Sequence, residues 1–281
     1  MRSGWGFDRA MTRLAPTFEA LKAQNRAGLI AYIMASDPDP GTSLEALKTL
    51  AAAGADVIEL GFPFTDPMAD GPAIQAAAER SLKAGGTLKK TLAQLAAFRK
   101  ENQTTPVVLM GYLNPIAHMG EEAFAQAAAE AGADGVIVVD LPPEEDEALR
   151  TALSAKGLSL VRLATPTTDA ARLPTVLSGV SGFVYYVSVT GVTGAAAPVA
   201  TQAKEAVDRL KQATRLPVAV GFGVRSEEMA AAIAKTADAV VVGSALVEAL
   251  AAHPDDSDAA LAALSQKTTS LARAVHAARS S

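Results

Sequence analysis

Hydrophobic residues fall along this chain in short, nearly unbroken runs rather than in strict alternation with polar ones. The runs are Leu29–Met34, Val57–Leu60, Val107–Met110, Val136–Val139, Leu158–Ala164, Phe183–Val187, Val218–Val220 and Ala239–Val242. Each is too short for a buried helix and apolar nearly throughout, as expected of strands covered on both faces. The gaps between them carry helical spacing. Ser43–Ala53 places Leu44, Leu47, Leu50 and Ala51 on one face, and Ala73–Ala84, Glu121–Ala131, Glu145–Ala155 and Glu227–Ala234 follow suit. Ala-Gly-Ala-Asp occurs at 53–56 and again at 131–134, and Thr-Ala-Asp at 236–238, each just before a strand. Gly54 and Gly132 fit helix C-termini, where the chain turns left-handed.

One strand–helix unit repeated along the chain predicts an α/β protein, a single (βα)8 TIM barrel. An extra helix is expected in front, Phe7–Gln24, and another behind, Ser257–Ala278. No linker divides the chain, so residues 1–281 read as one domain. An open, doubly wound sheet is the rival. It needs a glycine-rich dinucleotide turn, and the nearest candidate, Gly221-Phe-Gly223-Val-Arg-Ser226, has Ser226 in place of the third glycine.

Composition narrows the function. Lys and Arg total 25 against 30 Asp and Glu, a net charge of −5, which speaks against nucleic acid and anionic membranes as partners. The absence of Cys excludes disulfides, thiolate metal sites and a Cys nucleophile. The uncharged stretch from Leu173 to Ala203 is broken by Pro174, Pro198 and several Gly, so no membrane span is expected. Met1–Ala10 has no apolar core and holds Asp8, which reads as no signal peptide and a cytoplasmic protein. His118, His253 and His276 lack metal-ligand spacing and are expected at surface or structural positions, so no metal site is predicted.

In a βα barrel, chemistry sits where strands end. After the second run comes Glu59-Leu-Gly-Phe-Pro-Phe-Thr-Asp66-Pro-Met-Ala-Asp70-Gly71-Pro72. Glu59 either points into the barrel mouth, where burial would raise its pKa and suit it to proton transfer, or serves as an ion-paired or capping residue. Asp70 either joins it or caps the helix that follows. Asp66 reads as turn structure. Gly221–Gly223 and Gly243–Ser244 end the seventh and eighth runs. Backbone N–H groups and a helix N-terminus there could hold a phosphate, or the glycines could serve tight turns alone. The loop Val189–Ala197 is small and uncharged, either a lid or a plain connection. Tyr185 and Tyr186 must face opposite sides of the sixth strand.

Read together, these motifs make the chain resemble the tryptophan synthase alpha-chain family over essentially its whole length. Ile58 to Gly71 agrees with that family's signature throughout. Asp37-Pro38, Tyr112-Leu-Asn114, Val139-Asp-Leu-Pro142, Gly191-Val-Thr-Gly194, Gly221-Phe-Gly223 and Gly243-Ser244 support it. The resemblance implies retro-aldol cleavage of indole-3-glycerol phosphate to indole and glyceraldehyde 3-phosphate. It assigns Glu59 as general acid and base at the indole C3 and the glycerol hydroxyl, Asp70 to the charge at the ring N–H, and Tyr185 to positioning. It gives phosphate to amides of Gly194, Phe222, Gly223, Gly243 and Ser244, and the indole to Tyr32, Met110, Ile137, Leu163 and Phe222, with Thr193 closing onto Asp70. It implies no cofactor in this chain. The implied partner is a beta subunit in an α2β2 heterotetramer, which carries pyridoxal phosphate. Phe62 to Ala69 reads as an exposed apolar docking loop for that partner. Ser36, where the family generally has Gly, and Val189 and Ala195–Ala197 in the lid depart from its pattern. A stand-alone indole-releasing lyase and a non-catalytic phosphate-binding regulatory subunit remain as alternatives.

Overall fold

The structure is a computed structural model that describes residues 12–187, 196–221 and 223–279, with the backbone alone at 196–200. Its order is α1 (Leu14–Ala23), β1 (Gly28–Met34), α2 (Pro40–Ala52), β2 (Val57–Gly61), α3 (Pro72–Lys83), α4 (Leu88–Arg99), β3 (Val107–Gly111), α5 (Leu113–Met119), α6 (Glu121–Ala131), β4 (Gly135–Val138), α7 (Glu147–Ala155), β5 (Ser159–Ala164), α8 (Leu173–Leu177), β6 (Val184–Val187), α9 (Ala196–Ala213), β7 (Val218–Gly221), α10 (Glu227–Ala234), β8 (Ala239–Val242), α11 (Ser244–Ala251) and α12 (Ser257–Ala277). The strands pair in sequence order, all parallel, and β8 closes on β1. This is the predicted TIM barrel with a helix at each end, and the open sheet is excluded.

Strand alternation sorts the core into two layers. Leu29, Ala31, Ile58 and Leu60 pack outward against the helices. Ile30, Val57, Val108, Ile137, Val161, Ala219, Ala239 and Val241 fill the inside, joined by Met110, Leu163 and Tyr185. Leu14, Phe18 and Leu21 of α1 belong to the inner cluster. Phe18 meets Phe183 at 5.6 Å between ring centroids, so α1 plugs the end where strands begin. The helix expected over Phe7–Gln24 is therefore described from Leu14, and its first residues lie outside the described part.

The recurring Asp has one job in all three copies. Leu29 N–H donates to Asp56, Val107 N–H to Asp134 and Val218 N–H to Asp238, each at 2.8 Å. Each carboxylate thus ties its own strand to the start of the strand before it. Basic side chains complete the staples: Arg26 and the His276 ring on Asp56, Arg13 and Arg99 on Asp134, and Lys211 on Asp238. His276 is structural, as expected, and His118 and His253 are exposed.

Several details differ from the sequence reading. Helix α4, capped by the Thr87 hydroxyl on Lys90 N–H, was not anticipated. Helix α7 begins two residues later than expected, because a 3-10 turn over Pro143–Glu145 delivers Asp146 into a buried ion pair with Arg162. Ser36 takes φ +61°, the left-handed region where glycine is at ease. Its N–H donates to Ser43 Oγ at 3.0 Å and Gln94 Oε1 at 3.2 Å, which holds the strained residue in place.

Asp134 is 1% exposed and its partner Arg99 is 7% exposed. Removing one member of a buried pair strands the other, so Asp134→Ala should cost about 3–5 kcal/mol in denaturant unfolding. A loss below about 1 kcal/mol would show that the staple is not structural.

Candidate active site

Glu59 sits in the middle of β2, in register with Tyr32 of β1 on one side and Val108 of β3 on the other. Val57 two residues earlier faces the barrel interior, so Glu59 does too. It is 1% exposed, and its Oε1 has no hydrogen-bond partner among the described residues. The capping and ion-pair readings fail. Burial alone pushes its carboxyl up to about 8.

Asp70 ends the loop after β2. Gly71, not Asp70, is the N-cap of α3, and no side chain caps that helix. Burial raises Asp70 to about 6, and a hydrogen bond from the Tyr112 hydroxyl opposes the rise. The same hydroxyl accepts Ala69 N–H at 3.0 Å, and Gln75 Nε2 donates to the Asp70 carbonyl at 2.9 Å. Asp70 is therefore half-buried on a loop pinned from two sides. Asp66 lies exposed in the turn, as expected.

Two tyrosines enter the barrel top through gaps left by glycine. A Cβ at Gly61 would lie 2.3 Å from the Tyr32 hydroxyl, and one at Gly221 would lie 2.7 Å from the Tyr185 hydroxyl. No other residue admits these rings. Tyr185 faces inward and Tyr186 outward into the helix layer. Burial and the nearby Glu59 hold the Tyr185 hydroxyl protonated well beyond the usual range.

Tyr32, Met110, Asp70 and Tyr112 line one cavity with Phe62, Phe64, Pro67 and Ala78. Ile137 and Leu163 do not line it. They lie in the inner layer, with Ile137 beside Met110 and Leu163 beside Tyr185. Gly223 takes φ +62°, and a Cβ there would meet nothing within 4 Å. Gly243 is the N-cap of α11, whose first residue is Ser244 and whose N-terminus has no side-chain cap. Thr193, Gly194 and Phe222 lie outside the described residues, as do Val189 and Ala195 of the lid departures.

One expectation is corrected. Phe62 is not an exposed docking residue. It is 1% exposed, because its N–H extends the ladder to the Met110 carbonyl and its ring packs on Gly111. Phe64 is half-buried, with its ring 5.5 Å from that of Tyr112. Of the loop's large apolar side chains only Met68, 79% exposed, is free of the protein. Sequence reasoning missed Tyr112 as the partner of Asp70, and missed Arg80. Arg80 on α3 grips the buried Asp37 through two bonds of 2.6 and 2.8 Å, and Ser81 Oγ donates to the Ala35 carbonyl at 2.6 Å. Together they anchor α3, and with it the Asp70 loop, to the end of β1. Among the described residues no group of His, Asp and Glu could hold a metal ion, and no helix is long and apolar enough to cross a membrane.

Comparison with known proteins shows what the chain as a whole resembles. The family profile for the tryptophan synthase alpha chain matches residues 18–276. A curated tryptophan synthase alpha chain from Caulobacter vibrioides is 56% identical over 95% of this chain and 97% of its own. A crystal structure of tryptophan synthase subunit alpha from Legionella pneumophila superposes with a TM-score of 0.88 at 41% identity, covering 95% of this chain and 99% of that one. A structure of tryptophan synthase from M. tuberculosis in an aminoacrylate-bound form gives 0.84 at 37% identity, over 94% and 100%.

The Glu59 shift has a sign that unfolding can read. The folded protein keeps a proton that the unfolded chain releases near pH 4.5. Its stabilising effect is therefore full below that pH and is lost as pH rises towards about 8. Glu59→Gln should flatten this part of the stability–pH curve and be the more stable protein at alkaline pH, by on the order of a few kcal/mol. Parallel curves for the two proteins would mean that Glu59 ionises normally.

Proposed function

The chain belongs to the tryptophan synthase alpha-chain family, and on that premise we propose which of its residues carry the reaction. It is a lyase that cleaves indole-3-glycerol phosphate in tryptophan biosynthesis. The family needs no cofactor in this chain, since pyridoxal phosphate belongs to the beta chain.

The observation that carries the assignment is the separation of two carboxyl groups by their surroundings. Near neutral pH Glu59, at about 8, holds its proton, while Asp70, at about 6, has lost its own. Indole leaves only after its C3 is protonated, and Glu59 is the group with a proton to give. The ring N–H then carries positive charge, and the Asp70 carboxylate accepts a hydrogen bond from it and stabilises that charge without taking the proton. Glu59, now ionised, takes the proton of the glycerol hydroxyl as the carbon–carbon bond breaks. It ends protonated, so the chain returns to its starting state. Tyr185, fixed over Gly221, borders the substrate beside Glu59. Tyr32 and Met110, with Phe222, wall the indole slot, and Ile137 and Leu163 back it from the inner layer of the barrel.

Phosphate falls to the loops after β7 and β8. Open space at Gly223 and the uncapped start of α11 at Gly243 and Ser244 support this reading. Amides of Gly194 and Phe222 complete it, while Thr193 closes onto Asp70. The residues act as one domain in the cytoplasm.

We also propose a beta-subunit partner in an α2β2 assembly. The M. tuberculosis relative is described as tryptophan synthase rather than as its alpha subunit. On this chain the docking face is smaller than the sequence suggests. It consists of Met68 with the half-buried Phe64 and Pro67, on the loop that carries Asp70.

Glu59→Gln and Asp70→Asn should each lower kcat at least about a hundredfold with folding retained. Near-normal kcat in either folded variant removes that residue from the mechanism. Addition of the beta subunit from the same source should raise lyase activity about 10–100-fold. Full activity alone, unchanged on mixing, would instead describe a stand-alone indole-releasing lyase.

A further inference from the structure

We propose that Arg80, through its two-bond grip on Asp37, is a positioning residue for Asp70: it sets the seat of α3 on the end of β1, and α3 carries the Asp70 loop. The proposal rests on the assignment of Asp70 to the reaction and adds the means by which that carboxylate is held in place.

The composition of α3 calls for such a device. Of its side chains only Ala77, Ala78 and Ser81 are buried. The helix meets Tyr32, Met34 and Val247 through those two alanines and the half-buried Ile74. Large side chains fix the position of a helix by interdigitating with their neighbours, whereas alanines present a smooth face along which it can shift. Apolar packing therefore leaves the seat of α3 loosely determined, and polar contacts settle it.

Those contacts reach a fixed point. Ser36 N–H donates to Ser43 Oγ of α2 and Gln94 Oε1 of α4, and Gln94 Nε2 donates to the same Ser43 Oγ at 2.8 Å. Ser43 and Gln94 are buried, so the next residue, Asp37, is held by two helices besides its own strand. Arg80 Nε donates to one Asp37 oxygen at 2.6 Å and Nη2 to the other at 2.8 Å. Two parallel bonds between planar groups set an angle as well as a distance. The Asp37 side chain is 2% exposed, so this grip is shielded from water on the acid's side.

At the other end of α3, Asp70 moves with the helix. Gly71, the residue after it, accepts the N–H groups of Ile74 and Gln75 at 3.0 Å each, and Gln75 Nε2 donates to the Asp70 carbonyl at 2.9 Å. From Pro72 to Arg80 the axis runs about 12 Å. A tilt of about 5° at the Arg80 end would displace Asp70 by about 1 Å, a misplacement that can cost a large factor in rate.

Arg80→Lys keeps the charge and loses the fork. In the full-length protein, kcat for indole-3-glycerol phosphate cleavage should fall about tenfold while KM stays within about twofold. In an Asp70→Asn background the same substitution should lower kcat by less than about twofold, because its effect passes through a group already removed. Asp37→Asn breaks the fork from the other side and should repeat both results, which covers the case in which Arg80→Lys folds poorly. Far-UV circular dichroism and the denaturant midpoint verify folding. An equal loss of kcat in both backgrounds would make the pair merely structural and overturn the proposal. So would a raised KM with kcat unmoved, or no change in either folded variant. Asp70→Asn alone separates the two ideas. Near-normal kcat there removes Asp70 from the mechanism itself, whereas a large loss there beside normal Arg80→Lys and Asp37→Asn enzymes removes only the role of Arg80.

Discussion

A carboxyl group enclosed in an apolar barrel, with one oxygen left without a partner among the described residues, is the constraint on which this structure turns. An ionised Glu59 would be far more costly in that place than a neutral one, so the fold holds it as an acid. Even the neutral acid costs about 1–3 kcal/mol for its unpaired oxygen. That cost persists because the surroundings over-determine the side chain. The inner layer of Val57, Val108, Ile137 and Val161 lies around it, α1 seals one end, and Tyr32 and Tyr185 enter at the other. The environment that makes Glu59 expensive also gives it a proton to deliver near neutral pH.

The barrel divides its ionic chemistry between its two ends. Where strands begin, Asp56, Asp134 and Asp238 bind strand N–H groups and are neutralised by cations. Where strands end, Glu59 has no cation among the described residues, and Asp70 is held by Tyr112 and by loop contacts instead. Stability thus resides at one face and reactivity at the other, the usual division in this architecture. The Asp37–Arg80 pair is the charged tie nearest the Asp70 loop. It binds scaffold to scaffold, β1 to α3, and leaves the carboxylates free of compensating charge.

Much of this was legible in the sequence, for physical reasons that differ by element. Strands buried on both faces leave continuous apolar runs, so their positions came within a residue or two, and the inward direction of Glu59 was one of two stated options. The Asp after Gly-Ala was visible as a repeat, but not its purpose, because Asp134 and Val107 meet only across the β3–β4 register. Asp70 read equally well as a helix cap, and only the geometry gives that place to Gly71. Tyr112 meets Asp70 across 42 residues of chain, a pairing no local pattern encodes. Phe62 misled because an aromatic at the head of a loop with two prolines looks like surface, whereas it continues a strand and faces the helices. Helix α4 did carry its own cue, the Thr87 cap.

The claim that burial keeps Glu59 protonated is tested most directly by carbon-13 NMR titration of the side-chain carboxyls in glutamate-labelled protein. One resonance, absent from Glu59→Gln, should titrate near pH 8, well apart from the exposed glutamates. If the resonance lost in that variant titrates between about pH 4 and 5 with all the others, the barrel does not hold its acid and the account is wrong.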